Sequence, residues 1–152
     1  MSGQSEFRQY FADMDSDSAS RSTSHISYST SSSEEHPPRN ILNRDPCKYW
    51  ITSGTFPAIF TVSYRDKRRV SSVQLYTSQV KAIQVFAGTE ESFLKGYSTT
   101  PVCQQDDIPD EDDQMQTISL KFSEPMEVHN LKFVITEGQE LFASVHRLHV
   151  SR

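Results

Sequence analysis

The side chains able to do chemistry in this chain are few and scattered. Histidines stand at His25, His36, His129, His146 and His149, and the two cysteines at Cys47 and Cys103. His146 and His149 are three residues apart, which on a strand points them to opposite faces and argues against a shared metal. The cysteines lie far apart and match no metal-binding spacing. Cys47 stands just ahead of Lys48, Tyr49 and Trp50, a setting in which a thiol is expected to pack rather than react. Asp106, Asp107, Asp110, Glu111, Asp112 and Asp113 form an acidic run. Like charge at that density repels itself and stays in water. Its spacing also lacks the glycine and the terminal glutamate of a helix-flanked calcium loop. No nucleophile elbow, phosphate loop, zinc-protease helix or dinucleotide fingerprint occurs. The chain is expected not to be an enzyme.

The elements that must position these residues centre on residues 34–57, EEHPPRNILNRDPCKYWITSGTFP. This stretch holds the single tryptophan, four of the seven prolines and one of the two cysteines. Asn43 and Asp45 can accept hydrogen bonds from their own backbone, and Pro46 fixes φ. The stretch therefore reads as a rigid buckle that leads Trp50 into a core. Before it, residues 1–23 are rich in serine and acids, with few large apolar side chains, and are expected to be a disordered tail. Ile26 and Tyr28 then alternate with serines as a first strand. Pro37 and Pro38 open a helical turn that carries Ile41 and Leu42.

Beyond the buckle the pattern has period two. Phe56, Ala58, Phe60, Val62 and Tyr64 alternate over nine residues, which predicts a strand. The charged residues 65–69 read as a hairpin connection to a strand over 70–76, and a further strand follows over 82–87. Residues 90–97 are expected to form a helical turn, and 98–114 a long loop. Strands are predicted around Ile118, Leu120 and Phe122, and around Leu131, Phe133 and Ile135, with a turn at Ser123, Glu124 and Pro125 between them. Residues 137–140 form another turn, and a last strand spans 142–150. About eight strands with turn signals at short intervals predict an antiparallel β-sandwich or jelly roll over residues 24–152.

Composition narrows the class. At 152 residues the chain has room for one domain. Hydrophobic residues make up 35%, below the usual range for a globular domain, and the N-terminal tail accounts for the deficit. The net charge of −5 argues against bulk nucleic-acid binding. No apolar run is long enough to span a membrane as a helix, and the first ten residues lack the pattern of a secretory leader. Reduced thiols in the cytoplasm are the expectation.

Three segments together carry a family resemblance: HPPRNILNRDPCKYW from His36, TSGTFP from Thr52, and FASVHRLHV from Phe142. Over roughly residues 25–150 the chain resembles the intraflagellar transport protein twenty-five family, also described as small heat-shock-like protein beta-eleven. The resemblance implies a galactose-binding-like, discoidin-related jelly roll. It also implies a non-catalytic subunit of intraflagellar transport complex B, found in the cytoplasm, the cilium or flagellum and the basal body, and paired with a Rab-like small GTPase. The implied partner surface is assigned to the second faces of the strands that carry Ile59 and Arg147. The family's calcium site would fall on Asn43 and Asp45. Here Asn43, Lys48 and Ser151 replace the ligands expected of it, so no cofactor is expected. A lysine ammonium donates only and repels the ion. A discoidin-like glycan- or lipid-binding module and a DNA-repair scaffold domain are the alternatives that the same fold allows.

Overall fold

A computed structural model describes residues 24–45, 47–90, 96–110 and 115–152. The expected N-terminal tail, most of the helical turn expected over 90–97, Pro46 and residues 111–114 of the acidic run lie outside the described residues.

Among the described residues there are seven strands: β1 (Ser24–Ser29), β2 (Trp50–Ile51), β3 (Ala58–Ser78), β4 (Val80–Gly88), β5 (Cys103–Gln105), β6 (Gln116–Gly138) and β7 (Ser144–Ser151). The expected helical turn is a short 3-10 helix, Pro38–Leu42, with Pro37 before it. All strand pairs are antiparallel. The hydrogen-bonded order is β2-β7-β3-β6-β4-β5, with β1 on β3.

Two expected turns are not turns. Residues 65–69 and Ser123, Glu124 and Pro125 lie inside β3 and β6, which run 21 and 23 residues without interruption. Residues 64–67 of β3 lie opposite His129 alone, and residues 122–125 of β6 lie opposite Ser71 alone. Such wide bulges bend a strand and can house a proline that a regular ladder would reject. The surplus on one strand is matched by an equal surplus on the other, so the register beyond both bulges resumes as before. Each long strand can therefore serve two sheets. The first half of β3 and the second half of β6 lie with β1, β4 and β5, and their remaining halves lie with β2 and β7.

The two sheets close on one core. Trp50 of β2 meets Phe60 of β3 edge-on at 5.5 Å, and Phe60 stacks on Phe133 of β6 at 4.7 Å. All three rings are fully buried, together with Ile41, Leu75, Ile83, Leu131 and Ile135. Trp50 is thus the core anchor that the buckle predicts. Its indole Nε1 donates to Ser31 O at 2.9 Å, which satisfies its one polar atom. The all-β sandwich read from the alternation is the observed fold.

Smaller differences have local causes. The expected long loop contains β5, an edge strand whose pairing with β4 supplies the order that its Cys-Gln-Gln sequence does not signal. The last strand begins at Ser144, and Phe142 is 52% exposed. Among the described residues, no helix is long and apolar enough to cross a membrane.

Candidate functional site

The buckle is ordered by its own side chains. Asn40 Nδ2 donates to Tyr49 O at 3.0 Å and ties the 3-10 helix to the segment entering Trp50. Asn43 Oδ1 accepts from the Asp45 N–H and Asp45 Oδ1 from the Cys47 N–H, both at 2.9 Å. These are successive turns of the kind that short polar side chains make with their own backbone. The oxygens implied as metal ligands are thus already engaged as turn acceptors. Asn43, Arg44 and Lys48 line one cleft, so two cations share it with one candidate ligand, while Asp45 lies outside its lining. Ser151 sits on β7 opposite Ser72. Among the described residues, no three His, Cys, Asp or Glu side chains group as metal ligands. Calcium takes about six to eight oxygens, with carboxylates setting the affinity. This donor set does not fit it.

The cysteines differ from one another. Cys47 is exposed rather than packed, because the Asp45 turn holds its backbone outward on the loop. Cys103 is half-buried against the core, and burial pushes its thiol up to about 12. A thiol held neutral is a poor nucleophile at ordinary pH. His36 stacks on Tyr49 at 4.2 Å, and Tyr49 meets His146 at 4.8 Å. His146 Nε2 lies 2.9 Å from Ser144 Oγ. His146 also sits where the β3–β7 register slips, which separates its orientation from that of His149.

Ile59 and Arg147 stand on the outer faces of different sheets. On the first sheet Ala58, Phe60 and Val62 point inward, so Ile59, Thr61 and Ser63 point outward. The register then gives the outer rows. Ile59 lies beside Val134 and Gln84, and Tyr28 beside Thr61, Lys132 and Phe86. His25, Ser63, Asn130 and Gly88 form the third row. Lys132 Nζ sits 4.9 Å from the Phe86 ring centre and 4.8 Å from that of Tyr97.

Part of this face is covered by the chain itself. Tyr97 bridges to Gly88, and a Cβ at Gly88 would stand 3.1 Å from the Tyr97 ring, so the close approach requires glycine. Burial raises the Tyr97 phenol above its ordinary value, with the Thr61 side chain opposing the shift. Asn130, fully buried, receives a hydrogen bond from Ser63 Oγ at 2.5 Å and donates to Glu90 O at 2.7 Å. Ile59, Phe86 and Lys132 remain half-exposed, and Tyr28 is 44% exposed.

On the second sheet Arg147 lies beside Tyr76, with its guanidinium carbon 6.0 Å from the ring centre. His149, Gln74 and Ser119 form the next row, and Ser151, Ser72 and Lys121 the one after. Period two in the sequence places both residues on second faces. It does not show that those faces belong to different sheets, because that depends on the two bulges.

Comparison with known proteins bears out the resemblance. No family model matches the chain. The human "Intraflagellar transport protein 25 homolog" is 29% identical over 128 residues, covering 81% of this chain and 82% of the relative. The mouse homologue is 25% identical over 119 residues, covering 78% and 80%. The Chlamydomonas reinhardtii protein is 26% identical over 129 residues, covering 78% of this chain and 60% of the relative. Among solved structures, the family 32 carbohydrate-binding module of Clostridium perfringens NanJ in complex with galactose superposes with a TM-score of 0.65. It is 17% identical and covers 86% of this chain and 95% of its own. A second Clostridium perfringens module, in complex with GalNAc-β-1,3-galactose, has a TM-score of 0.72 at 14% identity, covering 88% and 98%. At such identities the likeness shows the fold, a galactose-binding-like jelly roll.

Proposed function

We propose that this chain is a non-catalytic subunit of intraflagellar transport complex B, working in the cytoplasm and cilium by binding proteins. The observation that carries this reading is the similarity to curated intraflagellar transport protein 25 relatives over about four fifths of the chain.

The partner in this reading is a Rab-like small GTPase, docked on the outer face that carries Ile59. Ile59, Phe86 and Tyr28 put aliphatic and aromatic surface on adjoining strands, with Lys132 among them and Val134 buried beneath. Interfaces of stable partners centre on such anchors inside a polar rim. The opposite face, with serines, Gln74 and Lys121 around Arg147, lacks that core. The test is co-purification of the GTPase with Ile59→Asp, alongside a melting curve of the variant alone. The reading requires loss of the partner from a folded variant. Retention of the partner would place the interface elsewhere.

The reading also makes the buckle independent of calcium. An ion stabilises a fold only by binding the folded state better than the unfolded one. Millimolar calcium should therefore leave the melting temperature of the natural chain unchanged, while Asn43→Asp with Lys48→Thr should gain a measurable rise. A rise of several degrees in the natural chain would overturn this part.

A further inference from the structure

A groove of about 850 Å³ runs between β1 and the segment that contains the 3-10 helix and the buckle. All six residues of β1 line it, so it follows the full strand, a length of about 20 Å. The far wall contributes Arg39, Arg44 and Lys48, and β1 adds His25. Among the described residues no Asp or Glu lines it, in a chain whose net charge is −5. The nearest acids are otherwise placed: Glu34 belongs to a smaller adjoining cleft, and the Asp45 carboxylate holds the Cys47 N–H.

Two independent features meet here. β1 is an edge strand, and among the described residues it pairs with β3 alone. An edge strand offers a row of backbone donors and acceptors that another extended chain can complete. Facing that edge stand Arg39 and Lys48, both exposed. A small anion would meet the cations and leave the edge unused. An apolar peptide would use the edge and leave the cations unused. An extended segment with carboxylates on alternate residues uses both.

We infer that this groove docks an extended acidic segment of a partner protein, added to β1 as a further strand with its carboxylates toward Arg39 and Lys48. Neither Ile59 nor Arg147 lines the groove, and Tyr28 borders both it and the Ile59 face, so the inference concerns a second, adjoining surface and does not rest on the GTPase interface.

The test uses the full chain and a fluorescein-labelled peptide of alternating valine and glutamate, about ten residues long, followed by fluorescence anisotropy. Binding is expected with a Kd below about 100 µM, and Arg39→Glu with Lys48→Glu should weaken it at least about tenfold. Arg39→Gln with Lys48→Gln serves if the charge reversal alters the melting curve. Methylation of alternate backbone amides on the peptide edge that faces β1 should weaken binding by a similar factor, because it removes strand pairing. Three results would overturn the inference: a Kd above about 1 mM, equal binding of the methylated peptide, or equal binding of a valine–lysine peptide.

Discussion

The two outer faces of this sandwich are built from the same two long strands, β3 and β6, but they carry different chemistry. Around Arg147 the outward positions of the strands are His149, Ser151, Ser72, Gln74, Tyr76, Thr117, Ser119 and Lys121. That is the polar surface expected of an antiparallel sheet with one side in water. Around Ile59 the outward positions include Val134, Phe86 and Tyr28. There Thr61 is 2% exposed, Ser63 7%, Val134 9% and Asn130 fully buried, whereas Tyr28 is 44% exposed and Ile59, Phe86 and Lys132 half-exposed. An apolar outer face costs solubility unless something covers it. Tyr97 and the Glu90 carbonyl cover one end of it, and the Ile59 end is the one that the proposed partner would cover.

Trp50→Ala should have the largest effect and should not discriminate between the faces. The ring belongs to the core that both sheets share. Its removal is expected to cost about 3–5 kcal/mol in chemical denaturation. A loss below about 1 kcal/mol would mean that the core tolerates the cavity and that the sheets are held together by other contacts.

Asn130→Ala separates the faces by stability. It deprives Ser63 Oγ of an acceptor and the Glu90 carbonyl of a donor under the Ile59 face. Ser63 Oγ keeps Ser27 Oγ at 2.6 Å, so the loss falls on the Glu90 carbonyl and on the cavity, and about 1 kcal/mol is expected. On the second face Gln74 Nε2 and Ser119 Oγ are 3.2 Å apart in an exposed pair, so Gln74→Ala should cost less than about 0.5 kcal/mol. Equal losses would erase the distinction drawn between the covered and the solvated face.

How far these faces could be read from the sequence depends on which signal each part carries. Alternation from Ala58 to Tyr64 shows the inward residues directly, and Trp50 announces the core. The joins are not legible. Residues 65–69 carry a charge run and 123–125 a proline, both of which look like hairpin turns. Only the pairing partner, with one residue opposite four, shows that they are bulges within continuous strands. β5 is illegible for a related reason, since two glutamines beside a cysteine have no period and are ordered by β4. The aromatic residues beside Cys47 suggest packing, whereas Cys47 is exposed on a loop held by the Asp45 turn. The groove lies beyond sequence reading altogether, because β1 and Lys48 are brought together by the fold.

Ile59→Asp tests the comparison through binding. The side chain is half-exposed and its strand is held on both sides, by Thr30 and by Val134. The variant should therefore fold. A carboxylate placed at the centre of an apolar contact must be desolvated without a partner, and a loss of at least about tenfold in GTPase affinity is expected, or about 1.4 kcal/mol.

Arg147→Glu should give the smallest effect of all. Its guanidinium lies over Tyr76 at 6.0 Å, a contact worth about 0.5–1 kcal/mol at an exposed site. The charge reversal removes that contact and should leave GTPase co-purification unchanged, because the residue stands on the face opposite Ile59. The two variants form a matched pair, each placing one carboxylate on one outer face of the same two strands. If Arg147→Glu releases the GTPase and Ile59→Asp does not, the partner sits on the polar face and binds by charge and hydrogen bonds. If both release it from folded variants, the partner reaches around the sheet edge, and the contrast between the faces ceases to be a guide to the interface.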